Sequence, residues 1–207
     1  MWIGDVSRGV RFIGSLTVSA FLMLGCFGVA TAATMGEDGL HKQDWFSITF
    51  RDIADDIQAA RDENKRLVMI FEQRGCIYCA KMHTDLLSDP EVSDYIKANF
   101  KVVQYNMFGD EEVIDLDGDV LSEKTAARKW GYVFTPTIVF LPEEVPEDAS
   151  TAAQAAVATM PGAFGKWTFL NMFRWVNEKG YEGEEHFQKY HARIIEELRA
   201  AGRLGNN

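Results

Sequence analysis

The chain is 207 residues long, nearly half of them hydrophobic, and its 31 acidic against 21 basic side chains leave a net charge of −10. That balance argues against nucleic acid and anionic membrane surfaces as partners. The length is enough to bury a full core, and three cysteines are too few for a disulfide scaffold.

The first 32 residues differ from the rest. Arg8 and Arg11 form a short basic region, Phe12 to Val29 is an almost uncharged apolar run, and Ala30-Thr31-Ala32 supplies small residues at signal-peptidase spacing. The expectation is a secretory signal peptide cleaved after residue 32. A retained membrane anchor is the competing reading, because the apolar run nearly reaches spanning length. Leu24-Gly25-Cys26 is a weak lipoprotein match, since Met23 and Leu24 suit that signal poorly. Removal of Asp5, Arg8 and Arg11 with the leader makes the net charge −11, and loss of Cys26 leaves Cys76 and Cys79 as the only thiols.

Residues 33–47 are polar and Gly-containing, which predicts a flexible mature N-terminus. Ile53, Ile57 and Ala60 recur at helical spacing up to Arg61. Leu67 to Phe71 is a continuous apolar run of strand length, as expected of a central strand covered on both faces. Cys76-Ile77-Tyr78-Cys79 opens the next helix, which turns Met82, Leu86 and Leu87 inward and ends near Ser88. Asp89 caps a following helix with Pro90 in its first turn. Lys101 to Met107 reads as a second strand.

An acidic stretch from Asp110 to Asp119 precedes a short helix opened at Leu121-Ser122 and closed by Gly131. Thr135-Pro136 leads into a third strand over Thr137 to Leu141. An acidic loop runs from Glu143 to Asp148, and Val157 to Met160 suggests an edge strand. Phe169, Met172, Phe173 and Val176 stripe one helix, which Gly180 ends. Phe187, Tyr190, Ile194 and Leu198 stripe a last one, which Gly202 ends. Strands alternating with helices around one core imply a single α/β layered domain, with residues 203–207 as a tail.

Two thiols separated by two residues at a helix start can close a small disulfide ring. The first also sits where unpaired backbone N–H groups and the helix dipole favour a thiolate. So small a ring contributes little loop-closure stabilisation, so its purpose is chemical.

The order helix, strand, C-x-x-C helix, strand, helix, X-Pro strand, edge strand and terminal helix resembles the thioredoxin fold over about residues 48–200, within a domain drawn as 48–202. More narrowly, the chain is similar to the SoxW-type periplasmic thioredoxins of bacterial sulfur oxidation. The residues that carry this are Phe71-Glu72-Gln73, Asn106 to Ser122, Ala127-Arg128-Lys129-Trp130-Gly131 and Phe134-Thr135-Pro136-Thr137. The resemblance implies a central mixed sheet flanked by helices, with the acidic insertion before the helix that precedes a cis-proline strand. It implies a cis Thr135–Pro136 bond facing the dithiol, with Thr135 and Pro136 binding an extended client segment. A trans proline at an ordinary strand start is the plainer alternative.

Three departures stand out. Ile70 occupies the position where many thioredoxins carry a buried Asp. Gly75 replaces a Trp before the first thiol, and Ile77-Tyr78 replaces the common Gly-Pro between the thiols. Glu72 is the nearest carboxylate and a candidate substitute for the missing Asp, although a solvated Glu at a strand end is the commoner case. Arg74 is a candidate to favour the Cys76 thiolate, or a solvated loop arginine; Tyr78 is a further supporting position.

The resemblance implies a periplasmic thiol–disulfide oxidoreductase without cofactor or metal. Cys76 is the nucleophile and Cys79 the resolving thiol. Clients are proteins bearing cysteines or disulfides, among them sulfur-oxidation carrier proteins, and a membrane electron transporter of the DsbD or CcdA type is the expected reductant. The alternatives are an oxidant or isomerase of exported proteins, or a non-enzymatic thioredoxin-fold binding module. Nucleic acid is not expected as a partner, and the membrane only through an uncleaved leader. His41, His83, His186 and His191 show no ligand spacing with the cysteines; His83, four residues after Cys79 on the same helical face, is within reach of the dithiol, although a partly exposed helix residue is the commoner case. Asp115-x-Asp117-Gly118-Asp119 lacks the closing Glu of a calcium loop and reads as an acidic surface loop.

Overall fold

The computed structural model describes residues 33–204; the expected leader and the last three residues lie outside the described residues. The chain starts with two short antiparallel strands, β1 (Thr34–Met35) and β2 (His41–Lys42). Helix α1 (Ile53–Asp62) begins where the Asp52 carboxylate accepts the N–H groups of Ala54 and Asp55, and it buries Ile53, Ile57 and Ala60. Strand β3 (Arg66–Glu72) is buried along its whole length.

Helix α2 (Ile77–Lys81) has Cys76 as its N-cap and runs directly into a π-helical turn, Met82–Leu86. Helix α3 (Pro90–Asn99) is capped by Asp89, with Pro90 in the first turn where a missing N–H costs nothing. There follow β4 (Phe100–Asn106), a hairpin of β5 (Glu112–Ile114) and β6 (Val120–Ser122), and α4 (Glu123–Lys129). The chain finishes with β7 (Thr137–Phe140), α5 (Ala152–Ala155), β8 (Ala158–Pro161), α6 (Lys166–Asn177) and α7 (Phe187–Ala200).

The main sheet has the order β4-β3-β7-β8, with β3 parallel to β4 and the other two pairings antiparallel. Side chains alternate across β3. Leu67, Met69 and Phe71 pack with α1 and α4 on one face, whereas Val68 and Ile70 pack with Met82, Leu86, Phe169 and Phe173 on the other. Burial of both faces is why the strand reads as an unbroken apolar run. This is a thioredoxin-like α/β fold in a single domain.

Two expectations need correction. Residues 33–47 are not loose. Leu40 is buried, Trp45 and Phe46 pack against the core, Lys42 Nζ reaches Gln104 Oε1 at 2.7 Å, and Ser47 forms a parallel bridge to Val103, so long-range contacts hold the segment in place. The acidic stretch is likewise structured. Its hairpin is anchored by Asp115, which is buried and accepts the N–H of Ala152 at 2.8 Å. At the other end, Arg203 pairs with Glu91 at 2.5 Å.

Candidate redox site

The β3–α2 connection presents the cysteine pair. Gly75 has φ +75°, a backbone region that L side chains rarely adopt, and nothing lies within 4 Å of where a Cβ would sit. Glycine is therefore required here by conformation, not by crowding. Beyond it Cys76 caps α2, its sulfur accepting the Cys79 N–H at 3.0 Å. Cys76 and Cys79 are joined as a disulfide. Cys76 keeps 9 % exposure and Cys79 only 1 %, so the first sulfur is the one reachable from outside.

Across from the disulfide lies the loop entering β7, in which the Thr135–Pro136 peptide bond is cis. The Thr135 hydroxyl donates toward Cys76 Sγ at 3.5 Å, and the Thr135 carbonyl oxygen lies 3.6 Å from the same sulfur. The Pro136 carbonyl accepts the N–H of Gly162, which ties the loop to the end of β8. Ile77 and Tyr78 on one side and Val133 and Phe134 on the other stand exposed, so apolar side chains flank the disulfide.

Glu72 and His83 depart from expectation. Both are closed to solvent. Glu72 Oε1 accepts from Gln104 Nε2 at 2.8 Å and meets His83 Nε2 at 2.9 Å, while Gln43 Nε2 reaches His83 Nδ1 at 3.2 Å. The β1–β2 segment covers this cluster, with the rings of His41 and Phe46 5.6 and 5.7 Å from that of His83. Period-two alternation was the available signal: Glu72 follows Val68 and Ile70 on a buried face.

Arg74 is exposed, and its guanidinium donates twice to the Asp38 carbonyl, tying it to the β1–β2 turn. In the acidic insertion, Lys129 Nζ sits 3.0, 2.7 and 2.8 Å from carboxylate oxygens of Asp115, Asp117 and Asp119, so an ammonium occupies the centre of that loop. The remaining histidines are scattered; His191 packs between α6 and α7, where Asn171 Nδ2 meets its ring at 3.0 Å.

The fold is thioredoxin-like, and it carries a C-x-x-C disulfide. The model of the thioredoxin-like domain family matches residues 53–146. No curated protein matches the chain. Among solved structures, a thioredoxin-fold protein from Helicobacter pylori is similar at 20% identity, over 72% of this chain and 98% of that one, with a TM-score of 0.51. That likeness is one of fold. A thioredoxin from Thermus thermophilus matches at 27% identity, over 62% of this chain and 86% of its own, with a TM-score of 0.47. The periplasmic thioredoxin SoxS from Paracoccus pantotrophus matches at 22% identity, over 56% and 99%, with a TM-score of 0.37.

Proposed function

We propose that this protein is a periplasmic thiol–disulfide oxidoreductase that reduces disulfides of client proteins. The observation that supports it most is the setting of Cys76. Its sulfur caps a helix, accepts the Cys79 N–H at 3.0 Å and lies against the Thr135 hydroxyl. Donors aimed at a sulfur favour its thiolate, which is the attacking species.

In the reduced protein, the Cys76 thiolate attacks one sulfur of a client disulfide and expels the other as a thiolate. The Cys79 thiolate then attacks Cys76 Sγ in the mixed disulfide and releases the second client thiol. Two electrons pass to the client, and the Cys76–Cys79 bond is what remains. An extended client segment lying along the Thr135–Pro136 loop pairs by added-strand contacts, with Ile77, Tyr78, Val133 and Phe134 receiving its side chains. The leader read from residues 1–32 supports export. The SoxW-type resemblance supports cysteine-bearing sulfur-oxidation carriers as clients and a DsbD- or CcdA-type transporter as reductant.

The test is a trap. Full-length protein with Cys79→Ser, expressed in its own host, is expected to accumulate mixed disulfides through Cys76 that a Cys76→Ser chain does not form. Absence of any trapped client, together with no reduction of insulin by the unmodified protein, would overturn the reading in favour of a binding module. Equilibration with glutathione fixes the direction: a potential near that of thioredoxin means reduction, and one near that of DsbA means oxidation.

A further inference from the structure

Ile48 and Phe50 stand 99 % and 96 % exposed, more than any other large apolar residue among those described. The segment that bears them is nevertheless held firmly. The Ser47 N–H donates to the Val102 carbonyl of β4 at 2.7 Å, and the Ile114 N–H donates to the Arg51 carbonyl at 3.0 Å. Between these ties the Thr49 hydroxyl donates to Asp56 Oδ2 at 2.8 Å and accepts the Arg51 N–H. Arg51 turns the chain toward α1 with a left-handed φ of +56°, a conformation that a non-glycine residue keeps only where its surroundings over-determine it. Its guanidinium lies near Glu123 and over the Tyr105 ring. With Thr49 turned inward to α1, alternation along extended chain sets Ile48 and Phe50 together on the opposite side.

Beside the pair runs a groove of about 360 Å³ against α1. Ile48, Phe50 and Ala59 supply its apolar surface, and Asp52, Asp55 and Asp56 line it with carboxylates. The cation at its edge, Lys101, is engaged by Glu63. Asp55 is exposed and pairs with no cation among the described residues. Asp56 is raised to about 6, chiefly by burial, so its anion is under-compensated where it lines the groove. The main chain is open as well: Ile48, Thr49 and Phe50 make no backbone–backbone hydrogen bond among the described residues.

We infer that this face is a second docking site, which binds an extended segment of a partner protein that carries Lys or Arg beside apolar side chains. The unpaired main chain of Ile48 to Phe50 receives the segment as an added strand. Its apolar side chains cover Ile48 and Phe50, and its cation enters among the three aspartates. Charge selects this occupant. A second copy of the chain, at net charge −10, would set the same carboxylates against their own kind.

The site is separate from the dithiol. Lys101 pairs with Leu67 near the start of β3, whereas Cys76 follows the end of that strand. A partner held here leaves the Cys76 face open to a client. The inference needs only the groove, and it stands apart from the redox reading.

The test uses the full-length protein with its disulfide intact and a fluorescent, cysteine-free peptide of alternating Val and Thr with a Lys at each end, followed by anisotropy. Saturable binding is expected. Phe50→Ser and Ile48→Ser should each raise the dissociation constant at least about tenfold, as truncating an apolar anchor at an interface centre does. Both side chains are exposed, so the fold should be unaffected. Asp55→Asn should weaken binding severalfold and flatten its dependence on salt. The same peptide with Glu in place of Lys should bind at least about tenfold more weakly. No saturable binding, or equal affinity in wild type and Phe50→Ser, would overturn the inference. Sedimentation that shows a dimer dissolved by Phe50→Ser would overturn it in favour of self-association. None of these readouts passes through Cys76 or Cys79, so they leave the redox reading to its own trap.

Discussion

Trp130 donates its indole N–H to Asp115 Oδ2 across 2.8 Å, joining the end of α4 to the turn between β5 and β6. The second carboxylate oxygen takes the N–H groups of Ala152 and Leu116. One buried aspartate therefore holds the acidic insertion, α4 and α5 together. Asp115→Ala leaves at least two buried donors without partners. The expected cost is about 3 kcal/mol, given that bonds to charged groups contribute roughly 1.5–3 kcal/mol each. A melting temperature lower by roughly 6–12 °C would follow for a chain of this size. Thermal unfolding followed by circular dichroism measures it, and an unchanged midpoint would contradict the anchoring role.

Lys129 sits among three carboxylates, of Asp115, Asp117 and Asp119. Lys129→Gln keeps a donor but removes the only positive charge that those carboxylates contact among the described residues. Stability is expected to fall most at low ionic strength and to recover partly as salt screens the like charges. Urea unfolding at two salt concentrations checks this. Equal losses at both would mean that Lys129 acts by packing, not by charge.

Asp56 lies on α1, 5 % exposed, and accepts the hydroxyl of Thr49 at 2.8 Å. Burial lifts its carboxyl from 3.8 to about 6, with the Thr49 bond and the charge of Lys101 acting in the opposite direction. The sign follows from linkage. Well below pH 4 the group is protonated in both folded and unfolded chains, and it has no effect. As pH rises toward 6 the unfolded chain ionises first, so stability falls; above 6 the penalty is constant at about 3 kcal/mol. Asp56→Asn should therefore be more stable than wild type at pH 8, with the advantage vanishing toward pH 4. Denaturant titrations at pH 4, 6 and 8 provide the comparison, and an advantage independent of pH would refute it.

Thr135→Val removes the hydroxyl that donates toward Cys76 Sγ while keeping the shape of the side chain. A single neutral hydrogen bond is worth about 0.5–1.5 kcal/mol. The expected result is a two- to roughly tenfold lower rate of iodoacetamide alkylation at Cys76 near neutral pH, with little change in overall stability. A rate equal to wild type would show that the hydroxyl does not act on the thiolate.

Where structure depends on neighbours in sequence, it is legible in the chain. The unbroken apolar run of β3, the Asp89–Pro90 start of α3 and the Gly131 stop after α4 all rest on signals within a few residues. The cysteine pair and the Thr135–Pro136 loop were visible as separate motifs, and the fold brings them together. What escaped notice depends on partners far along the chain. Gln43 meets His83 across 40 positions and Lys42 meets Gln104 across 62, so nothing local marked residues 33–47 as structured. His83 looked exposed because Lys81, Thr84 and Asp85 around it are polar; the π-helical turn and the overlying β1–β2 segment bury it nonetheless. In the insertion, the carboxylates were plain, but their counter-ion Lys129 lies on another element.

The placement of β1 and β2 over Glu72 has a practical consequence for anyone preparing this protein. A recombinant fragment trimmed to residues 53–146 would lose Gln43 and Lys42, and with them the roof of the Glu72–His83 chamber. It would also lose β8, the edge strand beside β7, and α6, which packs on the face of the sheet that carries Val68 and Ile70. Titrations made on such a fragment would describe a wetter chamber than the one the whole chain encloses.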